Sequence, residues 1–348
     1  MRRMILPGLL AVLLAGAAQA RSVTDLAGRQ VEIPDTVRRV ACLEVLCYQE
    51  MFMFGADDKV TQMVATSPPW MQRTNPRVAA IPKFSGAANV EDLLARRADV
   101  AFVNVSYGLT LAKLSAAGIP ALVSQPPKWP ENAEGFAADA RAMVRLFGRV
   151  LGGGAESRAE AWCAYFDAHV AFVRGRVATI PPERRLKLYY VRGPKAVNTQ
   201  SRGGYFNWVG ELAGARMVVN ESPMVGKGDA SMENLIHWNP DVIVVGRQYP
   251  LGLVLDDPRW RDIAAVRTGR VHSTPEGVFY WDGGPEQVLL LQFLAKLLYP
   301  DLFADLDLAA EIRAYYARFY RVALSDDDVA KLLEGRSPDG SRFNPMNN

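Results

Sequence analysis

The sequence predicts an α/β fold in two lobes, each with a Rossmann-like and mainly parallel sheet, bridged by one long helix, with a ligand cleft between the lobes. Short buried strands alternate with helical segments through both halves of the chain. That alternation is typical of parallel sheets covered by helices on both faces. Between the halves, residues 155–180 read as one continuous helix that ends at Pro181 and Pro182. At 1.5 Å per residue this helix is about 39 Å long, more than a small domain needs.

Glycine and proline mark the element boundaries of the first half. Alternating runs on either side of Ala27 and Gly28 predict a hairpin, and Gly55 and Gly118 each end a helix. Two consecutive prolines predict a loop over 67–75. The predicted order is hairpin 22–34, strand 38–43, helix 50–55, strand 60–65, loop 67–75, helix 90–97, strand 100–105, helix 109–117 and strand 120–124.

The second half repeats this alternation after the long helix. Helix 132–151 is separated from the long helix by three glycines. The elements after the long helix are strand 186–191, helices 205–212 and 231–237, strand 242–246, helix 260–265, strand 270–273, helices 286–299 and 306–320, and a frayed polar tail from 338. The predicted organisation is a leader at 1–20, an N-terminal lobe at 21–152, a linking helix at 153–182, a C-terminal lobe at 183–300, and a final helix with the tail at 301–348.

Composition excludes several classes of function. The formal charge is +3, from 40 basic and 37 acidic residues, which is too even for a nucleic-acid binder. Three cysteines and three histidines leave little room for a disulfide framework or a bare-metal histidine site. No G-x-S-x-G elbow or H-E-x-x-H helix is present. We therefore expect no catalytic residues, although an exported α/β enzyme is retained as an alternative.

The first twenty residues predict export. Arg2 and Arg3 precede an apolar run of about 14 residues, and Ala18-Gln19-Ala20 fits a signal-peptidase site. The run is too short to span a bilayer comfortably, so a cleaved leader and a periplasmic location are predicted, with an uncleaved anchor as the alternative. No cysteine lies at the cleavage site, so no lipid anchor is expected. In that compartment Cys42 and Cys47 either pair or remain buried thiols.

Four segments in order carry a resemblance to a known family: VTDLAGRQVEIP, VEDLLARRADVAFV, MENLIHWNPDVIVVG and PEQVLLLQFLAKLLYP. The chain resembles the periplasmic substrate-binding proteins of ABC importers for iron-siderophore complexes, haem and cobalamin. The resemblance implies a monomer with no built-in cofactor that works with a membrane permease and its ATPase. It also implies, by position, that Glu91 and Glu233 dock on the permease. The alternative is that each glutamate simply complements the dipole of the helix it begins.

Ligands of open α/β sheets bind beyond the carboxyl ends of the strands. Aromatic and cationic residues come after several predicted strands here, and they suit a bulky anionic ligand. A ferric siderophore is the first expectation; haem, cobalamin and small metal chelates are alternatives, as is a metallochaperone or sensor without a transport partner. Trp70 is expected to stay outside the core, whereas Tyr280 and Trp281 could instead pack under the final helix. The predicted ligand-binding residues are Trp70, Tyr107, Arg192, Arg202, Tyr205, Arg247, Tyr249, Tyr280 and Trp281.

Overall fold

The N-terminal lobe is built on a five-stranded sheet. The computed structural model describes residues 20–66, 68–86, 88–104 and 108–342. A hairpin of β1 (Ala20–Thr24) and β2 (Gln30–Pro34) precedes the sheet, whose strands all run parallel in the order β5-β4-β3-β6-β7. These strands are β3 (Val40–Cys42), β4 (Val60–Val64), β5 (Lys83–Phe84), β6 (Val100–Val103) and β7 (Ala121–Val123). The helices of this lobe are α1 (Cys47–Met53), α2 (Pro69–Thr74), α3 (Val90–Ala95) and α4 (Gly108–Ala116).

The C-terminal lobe has a four-stranded parallel sheet in the order β10-β8-β12-β13 and a small antiparallel pair of β9 with β11. Its strands are β8 (Lys187–Val191), β9 (Asn198–Gln200), β10 (Arg216–Met217), β11 (Lys227–Asp229), β12 (Val242–Val245) and β13 (Val271–Ser273). Its helices are α7 (Tyr205–Leu212), α8 (Met232–Trp238), α9 (Gly252–Leu255), α10 (Ala264–Arg267) and α11 (Gln287–Leu298). The α/β fold class and the two lobes are thus confirmed.

Two antiparallel helices, α5 (Ala133–Leu151) and α6 (Ala155–Val177), lie between the sheets. The predicted long helix is α6, and α5 packs alongside it. Ion pairs of Arg145 with Glu160 and of Arg141 with Asp167 join them. The helices approach closely at Gly148, where a Cβ would lie 2.9 Å from the Cβ of Ala159. The predicted apolar stripe of α6, Trp162, Phe166, Val170 and Val173, is buried, as expected for core packing.

The end of the chain contains a helix that the sequence pattern does not predict. Helix α12 (Leu308–Tyr315) continues as a π turn (Tyr316–Tyr320), and α13 (Asp326–Leu333) comes after it. Ser325 and Asp328 form a capping box that begins α13. The segment after α13 contacts both lobes. Its Arg336 carbonyl accepts a hydrogen bond from Trp70 Nε1 at 2.9 Å, and its Gly335 packs against Ser273 of β13.

Three local predictions need correction or completion. The loop predicted at 67–75 is wrong, because Pro69–Thr74 form helix α2 with Pro69 at a position where its missing N–H costs nothing. Of the tail predicted to fray from 338, the part up to 342 is hydrogen-bonded, since Ser337 N donates to Ser341 O at 2.9 Å and Gly340 N to Ser337 O at 2.8 Å; residues 343–348 lie outside the described residues. Cys42 and Cys47 form a disulfide and are not separate buried thiols. Apart from Ala20, the predicted leader lies outside the described residues.

Candidate ligand site

Two arginines at the ends of neighbouring strands of the C-terminal sheet share one buried carboxylate. Arg192 comes directly after β8, and Arg247 comes shortly after β12. Their Nε atoms lie 3.1 and 2.9 Å from Oδ2 of Asp282, which also accepts a hydrogen bond from Tyr190 at 3.0 Å. The arginine side chains are 16% and 23% exposed, and that of Asp282 is 2% exposed. Asp282 therefore holds both guanidinium groups in fixed positions beyond the carboxyl ends of β8 and β12.

The ionised side chains in and around the group Arg192, Arg247 and Asp282 carry a net positive charge. Burial alone would raise the pKa of Asp282, but Arg247 and Arg192 hold it below the ordinary value. Burial, followed by repulsion from Arg192 and Arg247, lowers the pKa of Lys227, so this ammonium group lies near both guanidinium groups. Two guanidinium groups and an ammonium group thus surround one ionised carboxylate. The chemistry of such an arrangement suits an anionic ligand.

A second buried carboxyl group, that of Glu276, contacts the backbone of Arg247. Its Oε1 accepts hydrogen bonds from Thr274 Oγ1 at 2.6 Å and from the backbone N–H of Arg247 at 2.7 Å. Burial is the main cause that raises the pKa of Glu276 to about 8. Glu276 is therefore largely protonated at neutral pH and leaves the positive charge of the arginine pair in place.

Aromatic rings border the cationic cluster. Cζ of Arg247 lies 4.7 Å from the ring centroid of Tyr280, within the range of a cation–π contact. Tyr249, Arg192 and Lys227 line an adjoining depression of about 560 Å³. The structure thus brings together four of the predicted residues, Arg192, Arg247, Tyr249 and Tyr280.

Arg202 lies three residues before α7, and Tyr205 begins this helix and contacts a tryptophan that the sequence pattern does not select. The Arg202 side chain donates to the carbonyl of Ser222 at 2.8 Å. Tyr205 makes an edge-to-face contact with Trp129 at 5.7 Å between ring centroids. Trp129 belongs to the segment between β7 and α5 and is 42% exposed. A Cβ on Gly203, whose φ is +88°, would lie 2.8 Å from the Cβ of Trp129, so glycine makes this approach possible.

The N-terminal lobe contributes polar groups at the ends of its own strands. Glu44 comes shortly after β3 and accepts hydrogen bonds from Leu46 N at 2.9 Å, Gln125 Nε2 at 2.6 Å and Ser124 Oγ at 3.3 Å. Burial raises the pKa of Glu44. Burial, followed by the charges of Asp139 and Glu44, raises the pKa of Tyr205, so Glu44 lies near this residue of the C-terminal lobe.

Two predicted ligand residues are core residues in this structure. Trp70 and Trp281 are completely buried. The expectation that Trp70 stays outside the core is wrong, because the segment after α13 covers it and accepts its indole N–H. Trp281 packs inside the protein, which was the alternative to ligand contact, since it lies in the main hydrophobic core. Tyr107 lies outside the described residues.

Within the described ranges, no group of three His, Cys, Asp or Glu side chains is arranged to hold a metal ion. His169 lies 3.6 Å from Glu311, and burial lowers its pKa. Over the same residues, no helix is both long and apolar enough to cross a membrane. The two predicted docking residues, Glu91 on α3 and Glu233 on α8, lie in the first turns of their helices.

Two α/β lobes, each with polar side chains just beyond the carboxyl ends of its strands, and a helix pair that joins them are typical of proteins that bind a small ligand between lobes. The chain belongs to the periplasmic binding protein family, whose model matches residues 43–277. It is 26% identical over 357 residues to the molybdate-binding protein MolA of Haemophilus influenzae, covering 95% of this chain and 99% of that protein.

Solved structures show the same fold. The structure of Haemophilus influenzae MolA bound to molybdate matches with a TM-score of 0.79 and 23% identity, over 88% of this chain and 99% of that one. A periplasmic solute-binding protein from Veillonella parvula matches with a TM-score of 0.77 and 21% identity, over 91% and 98%. Helicobacter pylori CeuE with Ni(II) bound matches with a TM-score of 0.72 and 19% identity, over 90% and 99%.

Proposed function

We propose that this periplasmic binding protein of an ABC transporter captures an anionic, metal-containing ligand and delivers it to the permease. The observation that carries the proposal is the pair Arg192 and Arg247 held by the single carboxylate Asp282. Lys227 adds a further cation nearby. Because the fixed arginine forks present several N–H donors, they suit a ligand with several anionic oxygens.

A metal oxyanion such as molybdate is the first candidate. The relative from Haemophilus influenzae is named for molybdate and matches over almost the whole of both chains. A tetrahedral oxyanion needs hydrogen-bond donors and positive charge, which Arg192 and Arg247 supply. It needs no protein side chain that coordinates the metal.

An anionic ferric siderophore is the second candidate. Two aromatic side chains beside the cluster, Tyr249 and Tyr280, and the depression of about 560 Å³ favour a larger ligand with planar groups. Haem carries two propionates and fits the same logic. Cobalamin ranks lower, because a ligand without net charge makes less use of paired arginines.

Calorimetric titration tests the proposal with three probes: sodium molybdate, sodium sulfate and a ferric tris-catecholate. We expect one of the metal-containing anions to bind and sulfate to bind at least tenfold more weakly. Arg192→Lys and Arg247→Lys keep the charge but lose the fork, so each weakens binding about tenfold. Arg259→Lys, an exposed change elsewhere in the same lobe, is the matched control. Equal affinity in all variants contradicts the proposal, as does the failure of both metal-containing anions to bind.

We further propose that Glu91 and Glu233 dock this protein on its permease. One exposed carboxylate on each lobe allows the partner to recognise the separation of the lobes, and such charges set register more than affinity. In the double variant Glu91→Gln/Glu233→Gln, uptake into cells falls while ligand affinity is unchanged. Normal uptake by the double variant contradicts this assignment.

Export is the remaining part of the proposal. Cleavage after Ala20 leaves Arg21 as the first residue, and its side chain donates to the Val150 carbonyl at 2.8 Å. The intact mass of the protein recovered from the periplasm is expected to equal that of residues 21–348. A mass that includes the leader contradicts cleavage.

A further inference from the structure

Two exposed aliphatic side chains occupy matching places beside the two proposed docking glutamates. Leu94 is 49% exposed and lies three residues after Glu91; Ile236 is 60% exposed and lies three residues after Glu233. Among the described residues, six large hydrophobic side chains are exposed, and these are two of them. Residues three apart on a helix share one face. Each carboxylate therefore has an apolar neighbour on the same exposed face.

The match extends to the position within each helix. Glu91 and Glu233 are both the second residue of their helix, α3 and α8, and the aliphatic residue is the fifth in both. The fourth residue, Leu93 or Leu235, is fully buried in both helices. Both helices thus turn the same face towards their own sheet and the same face outwards.

The residues that follow the two helices are also equivalent. Each helix is followed by a residue in the left-handed region, Arg97 with φ of 53° and Asn239 with φ of 46°. Two residues further on, Asp99 and Asp241 accept backbone N–H groups of the neighbouring strand segment, both at 2.8 Å. The two lobes therefore present the same surface feature twice, and internal packing does not account for the exposed aliphatic residue in either copy.

We propose that Leu94 and Ile236 are apolar anchors of the two permease-docking faces. This inference rests on the proposed docking role of Glu91 and Glu233. The partner surface it fits is a cationic side chain beside a small apolar pocket, present twice on the permease. The carboxylates supply charge complementarity and register. The anchors supply contact area that is removed from water when the proteins associate.

The test measures binding of the protein, in the presence of sodium molybdate or a ferric tris-catecholate, to the cognate permease–ATPase complex, reconstituted in nanodiscs, over a range of salt concentrations. Leu94→Gln and Ile236→Gln keep a good helix-forming residue but remove the apolar surface. We expect each to weaken binding about five- to tenfold without changing the dependence on salt. Glu91→Gln and Glu233→Gln are expected to reduce the dependence on salt. Leu255→Gln is the matched control, because Leu255 is also 49% exposed but lies on α9.

The outcomes separate the two proposals. Wild-type binding by Leu94→Gln and Ile236→Gln, with weakened binding by the glutamate variants, overturns the anchors and leaves the docking role intact. Wild-type binding and salt dependence in the glutamate variants overturn the docking role and the anchors together. Concentration-dependent self-association that Leu94→Gln abolishes assigns the surface to a second copy of this chain and also overturns the inference. Thermal melting and ligand affinity, both expected to match wild type, report whether each variant is folded.

Discussion

Glu276 shows how one buried carboxyl group controls the charge of the candidate ligand site. Its pKa is raised to about 8, chiefly by burial, and it lies against the backbone of Arg247. Deprotonation above pH 8 adds a negative charge beside the cationic cluster. We therefore expect the affinity for an anionic ligand to fall about tenfold between pH 7 and pH 9. Glu276→Gln removes that fall, and titrations at both pH values check it; the same fall in the variant contradicts the assignment.

The same group makes folding stability depend on pH. Because the pKa is higher in the folded chain than its ordinary value of 4.5, the folded state binds the proton more tightly. The stabilisation is complete below pH 4.5 and is lost as the pH rises towards 8, on the order of 3–5 kcal/mol in total. Glu286, with a pKa raised to about 7 by burial, acts with the same sign. Urea unfolding between pH 5 and 9 is expected to show a shallower decline for Glu276→Gln than for wild type, and an equal decline contradicts the linkage.

At the residue scale, the sequence identifies side chains that come directly after a buried strand and misses those that distant loops contribute. Arg192 and Arg247 can be found because each lies just beyond a clearly apolar run. Asp282 and Lys227 reach the same cluster from separate segments, and no local pattern marks them. The burial of Trp70 escapes prediction because the chain that covers it lies 266 residues away. Trp129 stands between a predicted strand and a predicted helix, and that position is the signal that could have selected it.

The C-terminal segment, residues 325–342, contacts both lobes. It bonds to the N-terminal lobe through Trp70 and through an ion pair of Asp328 with Arg73 at 2.9 Å. At Gly335, where φ is +64°, a Cβ would lie 3.0 Å from both the Cβ of Ser273 and the carbonyl oxygen of Thr274 in the C-terminal lobe. The segment therefore connects the lobes in addition to helices α5 and α6.

Gly335→Ala is expected to loosen this segment and to destabilise the protein by about 1–2 kcal/mol more than its control. Gly340→Ala is the matched control, because Gly340 also has a positive φ, 85°, but a Cβ there meets only Lys331 Cε at 3.8 Å. Urea unfolding gives the difference in the free energy of unfolding, and limited proteolysis shows whether the segment detaches first. Equal effects of the two substitutions indicate backbone strain alone and contradict the connecting role.

At the element scale, helices with a clear apolar pattern are predicted well, whereas the predominantly polar helix α13 and the proline-led helix α2 are not. The boundaries of α7 and the start of α6 match the sequence prediction. Helices α2 and α13 have six and eight residues, and they are tied to each other by the ion pair of Arg73 with Asp328. The final helix is predicted as continuous, but it contains a π turn and ends at Arg321 in the left-handed region.

At the scale of the whole molecule, several connections within the described residues hold the lobes, among them the α5–α6 pair, the C-terminal segment and a buried polar contact. In the last, Gln49 Nε2 of α1 donates to Glu286 Oε2 at 2.7 Å and to Tyr320 at 3.0 Å. Such links resist wide hinge motion. We expect the radius of gyration in solution to change by less than about 1 Å when ligand binds. A compaction of several ångström contradicts rigid linkage.

The alternation of strands and helices is sufficient to predict the α/β class and two lobes. It is not sufficient to predict that α5 lies beside α6, because the pairing depends on the close approach at Gly148 and on ion pairs such as Arg145 with Glu160. The sequence therefore predicts one connection between the lobes where the structure has several.

The arginine pair is proposed to hold a metal-containing anion. Metal analysis of the protein purified from its own periplasm, with an absorbance spectrum and native mass, tests this proposal. We expect about one equivalent of bound metal, molybdenum for an oxyanion or iron with a charge-transfer band for a ferric siderophore, and a lower metal content in Arg247→Lys. Metal-free protein that also fails to take up either anion, or equal metal content in the variant, contradicts it.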